Sequence, residues 1–386
     1  MQQPVKILHL IADLNGFGGT ENTLLRYLAA HIDDKEQHHI LVMKSAGEGS
    51  TIGAQIRTLG FGITELHLHQ PGYRVKALKT CWSLMRGWRP TVMSAWLYHP
   101  IFLAELARHV VRQPIKVIWH IRSLPYAATD SGRERLIRWL ARMSRWVKAP
   151  IVSNSAAAVA AHQSIGFRQG GWIVNPNGLD SQLYADGRSR RDDVRRHLGL
   201  SADDWVICTV GRFVPEKGHA YLFEALAHSR KLSEFKRQRR VCFMGIGHGI
   251  NASNEPFVDL ARSVFDEADL LLLDKRSDIP DLLAAADLFV MPSISESFPN
   301  AVIEAMAAGL VVVATKVGAV GEVGLSEKFL AQPGDAESLA VAIDAALDLS
   351  VEEIMDISAQ SMKIVRDRFS VAAMVAKFDE VFGVQS

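Results

Sequence analysis

The chain has 386 residues, 48% of them hydrophobic and 22% charged, with a formal net charge of +1. At that length two domains are the natural organisation, and the composition is that of a soluble globular protein with ample core. No run of 18 apolar residues occurs, which excludes a transmembrane helix.

The opening M-Q-Q-P-V-K-I-L-H-L-I-A-D-L holds an apolar run of strand length, without the longer apolar region and cleavage site of a signal peptide. Three scattered cysteines, Cys81, Cys208 and Cys242, show neither a disulfide framework nor metal-ligand spacing and fit a reducing compartment. The expected location is the cytoplasm. Net charge conceals an asymmetry: residues 1–190 carry 23 Lys+Arg against 12 Asp+Glu, and the remainder 20 against 30. Halves of opposite sign imply two domains with different partners.

In chain order, V-K-I-L-H-L-I (5–11) reads as a buried strand. G-F-G-G-T-E (16–21) then leads into a helical pattern over 20–32, with Thr20 as candidate N-cap. This glycine cluster is not the G-x-G-x-x-G dinucleotide fingerprint. H-H-I-L-V-M (38–43), K-V-I-W-H-I (116–121) and I-V-S-N-S (151–155) read as further strands, the last followed by an alanine-rich helix. P-N-G-L-D (176–180) is a turn cluster and candidate hinge. Strands then resume at 205–210, 241–245, 269–273, 287–291 and 310–315, with helical segments between. Apolar strands alternating with helices predict parallel sheets covered on both faces. Two such series predict two doubly wound domains, with ligands at the carboxyl ends of the strands.

Three segments carry candidate chemistry. G-R-F-V-P-E-K-G-H (211–219) follows a strand and places Arg212 and Lys217 at the carboxyl edge of the sheet, where they suit phosphate oxygens or stand solvated. F-M-G-I-G-H-G (243–249) is a strand ending in glycines, Gly245 and Gly247 among them. S-I-S-E-S-F-P-N-A-V-I-E-A-M-A-A-G (293–309) sets Glu296 at a strand-to-helix turn and Glu304 inside a helix from Pro299 to Ala308, with Pro299 in the first helical turn. A carboxylate in such an apolar helix calls for a partner or a ligand, unless it is a surface charge.

In this order the segments resemble the retaining glycosyltransferases of family 4, which have the GT-B fold. The resemblance covers nearly the whole chain and also uses S-D-I-P-D-L-L-A-A-A-D-L-F-V-M-P-S and V-A-T-K-V-G-A-V-G-E. It implies an α/β chain of two Rossmann-like domains facing a central cleft. The implied division is an acceptor-binding domain over 1–175, a nucleotide-sugar-binding domain over 176–365, and a segment 366–386 whose helix crosses back to the first domain. It also implies roles. Arg212 and Lys217 clasp the donor diphosphate, Glu304 holds the ribose, and Glu296 contacts the transferred sugar. Ser297, Phe298 and Asn300 offer backbone N–H groups at a helix start, and Arg276, Ser277 and Asp278 border the base pocket. His120 lies near the sugar, or else is a core histidine. Gly18 and Gly19 let the first loop approach donor and acceptor. Two departures stand out: Val311 where the family has proline, and Gly318-Ala319 where it has two glycines.

The implied activity is transfer of a sugar from a UDP- or GDP-linked donor to a glycan or polyprenyl-diphosphate-linked acceptor in bacterial surface polysaccharide (lipopolysaccharide) synthesis. No cofactor and no metal are expected, since no Asp-x-Asp cluster ends a strand. Alternatives are a non-catalytic nucleotide-sugar-binding subunit and another GT-B enzyme such as a sugar-nucleotide epimerase. Residues 72–148 hold 15 Lys+Arg against three acids, and six of the eight tryptophans. Within them, Leu136, Trp139, Leu140, Met143, Trp146 and Val147 share a helical face, with Arg135, Arg138, Arg142 and Arg145 around it. That pattern fits either peripheral contact with an anionic membrane or a helix packed on its own domain. No nucleic-acid module is present, and no nucleic-acid partner is expected.

Overall fold

The structure, a computed structural model, describes residues 5–16, 18–49, 51–111, 114–125 and 131–384. The chain forms two compact units. The first comprises the chain up to Gly178 together with the segment from Val371, and the second comprises Leu179–Ser370.

The first unit holds seven parallel strands: β1 (Ile7–Ile11), β2 (His38–Val42), β3 (Gly62–Glu65), β4 (Val92–Trp96), β5 (Lys116–Ile121), β6 (Ile151–Ser153) and β7 (Trp172–Val174). Their order is β3-β2-β1-β4-β5-β6-β7. One face packs Leu8, Leu10, Met93, Trp119 and Ile121 against helices Tyr98–Val111 and Ser131–Ser144. On the other face Ile7, Trp96, Ile118 and Val152 meet Leu24 and Tyr27 of helix Gly19–Ala30 and Met374, Phe378, Val381 and Phe382 of helix Val371–Phe382. Strands buried on both sides account for the continuous apolar runs.

The second unit holds six: β8 (Trp205–Val210), β9 (Val241–Ile246), β10 (Leu270–Leu272), β11 (Leu288–Met291), β12 (Val311–Thr315) and β13 (Leu330–Ala331), in the order β10-β9-β8-β11-β12-β13. All pairings in both sheets are parallel, with Leu288 beside Ile207 and Val290 beside Val313. In each sheet the strand order reverses once, between β1 and β4 and between β8 and β11. Such switch points leave a crevice at the carboxyl ends of the two strands. Among the described residues no helix is long and apolar enough to cross a membrane.

Four sequence expectations shift. The unit boundaries fall at 178/179 and 370/371 instead of 175/176 and 365/366. Asn175 Nδ2 donates to the Met374 carbonyl at 3.1 Å, and Asn177 Oδ1 accepts from Thr23, so both asparagines belong to the first unit. Gly18, not Thr20, is the N-cap of helix Gly19–Ala30, and it supplies no side-chain cap. Helix Asn300–Ala307 has Pro299 as N-cap, one position outside the first turn, with its carbonyl receiving the Val302 and Ile303 N–H groups. The basic, tryptophan-rich helix ends at Ser144, and Leu140 of its apolar face lies in the core with Leu136 and Met143 packed against it. That face serves the helix's own unit, and only Trp139 and Trp146 remain exposed.

Candidate functional site

Two loops meet at the switch point of the second sheet. One follows β8 and contains Arg212 and Lys217. The other follows β11 and contains Ser293 and Glu296. Three contacts lock them together. The Ile294 N–H donates to the Glu216 carbonyl at 2.9 Å. Gly218, at φ +66, lies so close to Pro292 that a Cβ there would be 2.1 Å from the Pro292 carbonyl oxygen. The Lys217 ammonium pairs with the Glu296 carboxylate, both side chains largely buried. The strand-then-loop pattern thus delivers a cation and an anion to one point.

Two further residues, absent from the sequence expectations, hold Glu296. Ser293 Oγ donates to Glu296 Oε1 at 2.9 Å, and Thr315 Oγ1, at the end of β12, donates to the Ser293 carbonyl. Gly318 lies against the Glu296 carbonyl: a Cβ there would stand 1.7 Å from that oxygen, and its φ of +52 also favours glycine. Ala319 follows at φ −84, in ordinary space. The family's first glycine is therefore demanded by geometry at 318 and the second is not, which explains the Gly-Ala departure. Val311 opens β12 beside Leu288 and is buried, so the missing proline leaves the strand start intact.

Arg212 has a different setting. Its guanidinium is exposed and has no partner among the described residues. Its carbonyl faces His219 Nε2 at 3.1 Å, which fixes the backbone while leaving the charged end available. Burial pushes the His219 imidazole down to about 4, so the ring is neutral there. One loop thus carries an exposed guanidinium and an ammonium paired with Glu296.

The remaining expected site residues divide. Glu304 lies half-buried on helix Asn300–Ala307, one turn past Asn300. The Asn300 N–H donates to the Phe298 carbonyl at 3.0 Å, so it is not an open donor. The Phe298 side chain is buried against Phe369, and Ser297 is half-buried. Arg276 is exposed and bound in two-pronged fashion by Asp278, at 2.8 and 2.5 Å, beside the loop that ends β10. Gly245 and Gly247 face their own chain. A Cβ on Gly245 would meet Ile250 at 2.6 Å, and one on Gly247 would meet the Gly211 carbonyl at 1.8 Å. Their glycine requirement is met by packing between loops. In the first unit, Gly18 and Gly19 open helix Gly19–Ala30, and the Glu21 carboxylate folds back over Gly18, where a Cβ would be 2.3 Å away.

His120 sits elsewhere than a sugar contact requires. It is 0% exposed, stacked 4.2 Å from Trp96, and edged by Phe378 and Phe382. Ser94 Oγ lies 3.0 Å from Nε2, and Nδ1 has no partner. Burial, followed by the charge of Arg122, holds its pKa well below the ordinary histidine value. The ring is thus enclosed in the core of the first unit. Among the described residues, no group of three or more His, Cys, Asp or Glu is placed to hold a metal ion.

Comparison with known proteins agrees with this architecture. Residues 190–363 match the family model of glycosyl transferases group 1. An Escherichia coli UDP-Gal:alpha-D-GlcNAc-diphosphoundecaprenol alpha-1,3-galactosyltransferase is 29% identical over 54% of this chain and 53% of its own. A Salmonella typhimurium lipopolysaccharide 1,2-N-acetylglucosaminetransferase is 26% identical over 54% and 55%. The chain thus spans about half the length of the curated relatives it matches. Anabaena HepE, solved in complex with UDP-glucose, superposes with a TM-score of 0.80 over 98% of this chain and all of its own, at 21% identity, a likeness of fold. The second unit carries the domain of the glycosyl transferases group 1, on a chain that has the GT-B fold throughout.

Proposed function

We propose that the chain is a retaining glycosyltransferase that moves a sugar from a nucleotide-diphosphate donor to a glycan or lipid-linked acceptor in bacterial surface polysaccharide assembly. The observation that carries this reading is the Lys217–Glu296 pair at the switch point of the second sheet, on a loop that also holds the exposed Arg212, within the family-matched segment. UDP-glucose is bound by the HepE neighbour, and a diphosphoundecaprenol-linked sugar is the acceptor named for the E. coli relative. Both support a UDP-linked donor and a polyprenyl-diphosphate acceptor here.

The chemistry follows from charge. As the glycosidic bond breaks, negative charge builds on the leaving diphosphate. Fixed cations at that point stabilise the transition state more than the ground state. Arg212 would take the diphosphate first. Lys217 would follow as its partner Glu296 turns to the sugar hydroxyls, and Glu304 would hold the ribose. The acceptor attacks from the leaving group's side, and the diphosphate takes its proton, so no protein base is needed. The two cations supply the neutralisation a metal would otherwise give, so turnover is expected to persist in EDTA.

The test is a panel of nucleotide sugars, read by thermal shift and by hydrolysis, against Arg212→Ala/Lys217→Ala. One donor should stabilise the wild type and be slowly hydrolysed, and the double variant should lose both effects. Stabilisation without turnover, even with lipid extracts, would favour a non-catalytic binding subunit instead.

The first unit supports the membrane side of this reading. Helices Tyr73–Trp88, Tyr98–Val111 and Ser131–Ser144 pack in sequence, and their outer faces expose Val75, Leu78, Trp82, Phe102, Leu106 and Trp139. Phe102 meets Trp139 edge-on at 5.2 Å, and Trp146 beyond is 87% exposed. Lys76, Lys79 and Arg86 flank this strip, Arg86 resting 4.6 Å from the Trp82 ring. Apolar and aromatic groups ringed by cations suit an anionic bilayer surface. Cosedimentation with anionic liposomes should exceed that with neutral ones at physiological salt and fall in Trp82→Ala/Trp146→Ala. Equal sedimentation with both would count against it.

A further inference from the structure

Arg122 follows β5 directly, two residues after His120. Its side chain is 5% exposed. Nη2 donates to Asn177 Oδ1 at 2.5 Å, and the guanidinium lies 5.5 Å from the Phe378 ring centre. Among the described residues neither the Nε–H nor Nη1 has a partner. The single acceptor is a neutral amide oxygen already shared with Thr23 Oγ1 at 3.1 Å. Among the described residues no carboxylate opposes the charge. Burial alone acts on the guanidinium, bringing it down to about 9, so it remains protonated at neutral pH.

A contrast within the same chain gives this meaning. Arg195 is equally buried, at 3%, but is enclosed by acceptors: the Ala285 carbonyl at 2.8 Å, the Ser201 carbonyl at 2.9 Å, the Asp204 carbonyl and the Asp287 carboxylate. That is how a structural arginine is accommodated. Burying a cation with most of its donors unmet is unfavourable and persists where another group completes it. The residue is also held in place, its carbonyl receiving Asn154 Nδ2 at 3.2 Å and its head anchored by Asn177. A preformed cation at the carboxyl edge of a parallel sheet stands where such folds bind ligands.

We propose that Arg122 is an oxyanion anchor of the first unit, taking a phosphate or carboxylate group of the ligand that this unit binds. Calling that ligand the sugar acceptor rests on the transferase reading. The anion site itself does not.

The test uses the whole chain carrying Arg212→Ala/Lys217→Ala, which removes the cations of the second unit. This protein is titrated calorimetrically with inorganic phosphate, pyrophosphate and glucuronate at fixed ionic strength. Saturable binding is expected, weakened at least about tenfold by adding Arg122→Met. A response to phosphate or pyrophosphate identifies a phosphorylated ligand, and a response to glucuronate alone identifies a carboxylate. Arg122→Met should leave the melting temperature of the unliganded protein unchanged or raised, because an uncompensated charge has gone. Should that variant fail to fold, Arg122→Lys, which keeps the charge but loses the fork, should fold and bind the anion more weakly. Anion binding left undiminished by either substitution overturns the proposal, as does the absence of binding by all three anions. A lowered melting temperature with unchanged binding would make Arg122 a structural residue. Anion binding through Arg122 in a chain that neither binds nor hydrolyses any nucleotide sugar would retain this site and remove only the acceptor assignment.

Discussion

Replacing Gly318 by alanine tests whether the loop after β12 positions Glu296. The added Cβ would lie 1.7 Å from the Glu296 carbonyl oxygen and 2.7 Å from its carbon, against a lower limit of 3.0 Å for real contacts. The two segments must therefore part by more than an ångström. The φ of +52 adds strain of about 1–2 kcal/mol for a residue with a side chain. With the steric displacement, a loss of about 2–3 kcal/mol is expected, which in a unit of this size lowers the melting temperature by roughly 5–10 °C. A shift of that size at Glu296 also disturbs its contacts with Lys217 and Ser293 and should reduce turnover by about 100-fold. The assay is donor hydrolysis at saturating donor alongside thermal unfolding. Gly321→Ala is the control, because a Cβ there meets only the Lys316 side chain, at 3.6 Å. Normal turnover and melting in Gly318→Ala would refute the positioning argument. So would equal damage from Gly321→Ala.

Lys217→Ala should lower kcat by about 10²–10³, and Arg212→Ala should weaken donor binding without loss of stability because the guanidinium has no partner to lose; both are read from steady-state kinetics and thermal shift. Ser293→Ala removes a hydroxyl from Glu296, and a change in kcat about tenfold, with Tm nearly unchanged, would fit its orienting role. Arg195→Met strips four backbone and carboxylate acceptors of their donor and should cost about 3–5 kcal/mol in urea unfolding of the second unit. The first unit should lose stability in acid. Burial, then the charge of His31, brings His38 down to about 4, and burial holds His9 and His120 well below the ordinary value. Depressed pKa values mean that the folded state binds fewer protons, so their stability is present above about pH 6.5 and lost as pH falls toward 4, about 3 kcal/mol for His38 alone. His31 acts oppositely: burial disfavours its proton, but Asp379 at 3.1 Å and the Tyr27 carbonyl outweigh it, so its contribution is lost as pH rises. Urea midpoints at pH 7 and 4.5 measure the net effect, and His38→Gln should flatten it.

The parallel architecture was legible because strands buried on both faces leave unbroken apolar runs, as in W-V-I-C-T-V and L-V-V-V-A-T. β4 escaped notice although it is central, because Ser94 interrupts V-M-S-A-W and its hydroxyl meets His120, a partner 26 residues on. β13, two residues long, leaves no pattern to read. In the site, Arg212, Lys217 and Glu296 follow strands whose ends meet at the reversal of strand order, so sequence position alone predicts that their loops adjoin. The clamp of Ser293 and Thr315 depends on how β11 and β12 lie side by side, and the closure over His120 depends on a helix some 250 residues away. Arg122 is the extreme case. What distinguishes it is the absence of a counter-charge, which only the packed arrangement reveals.

The placement of helix Val371–Phe382 in the first unit also bears on biosynthesis. One face of the first sheet cannot be covered until the ribosome has made the whole of Leu179–Ser370, which at 5–20 residues per second takes about 10–40 s. During that interval Tyr27, Trp96 and the buried histidines lack the phenylalanines that later enclose them. A nascent first unit thus exposes this apolar face until the helix that covers it has been made, which predicts slow completion of its fold during synthesis.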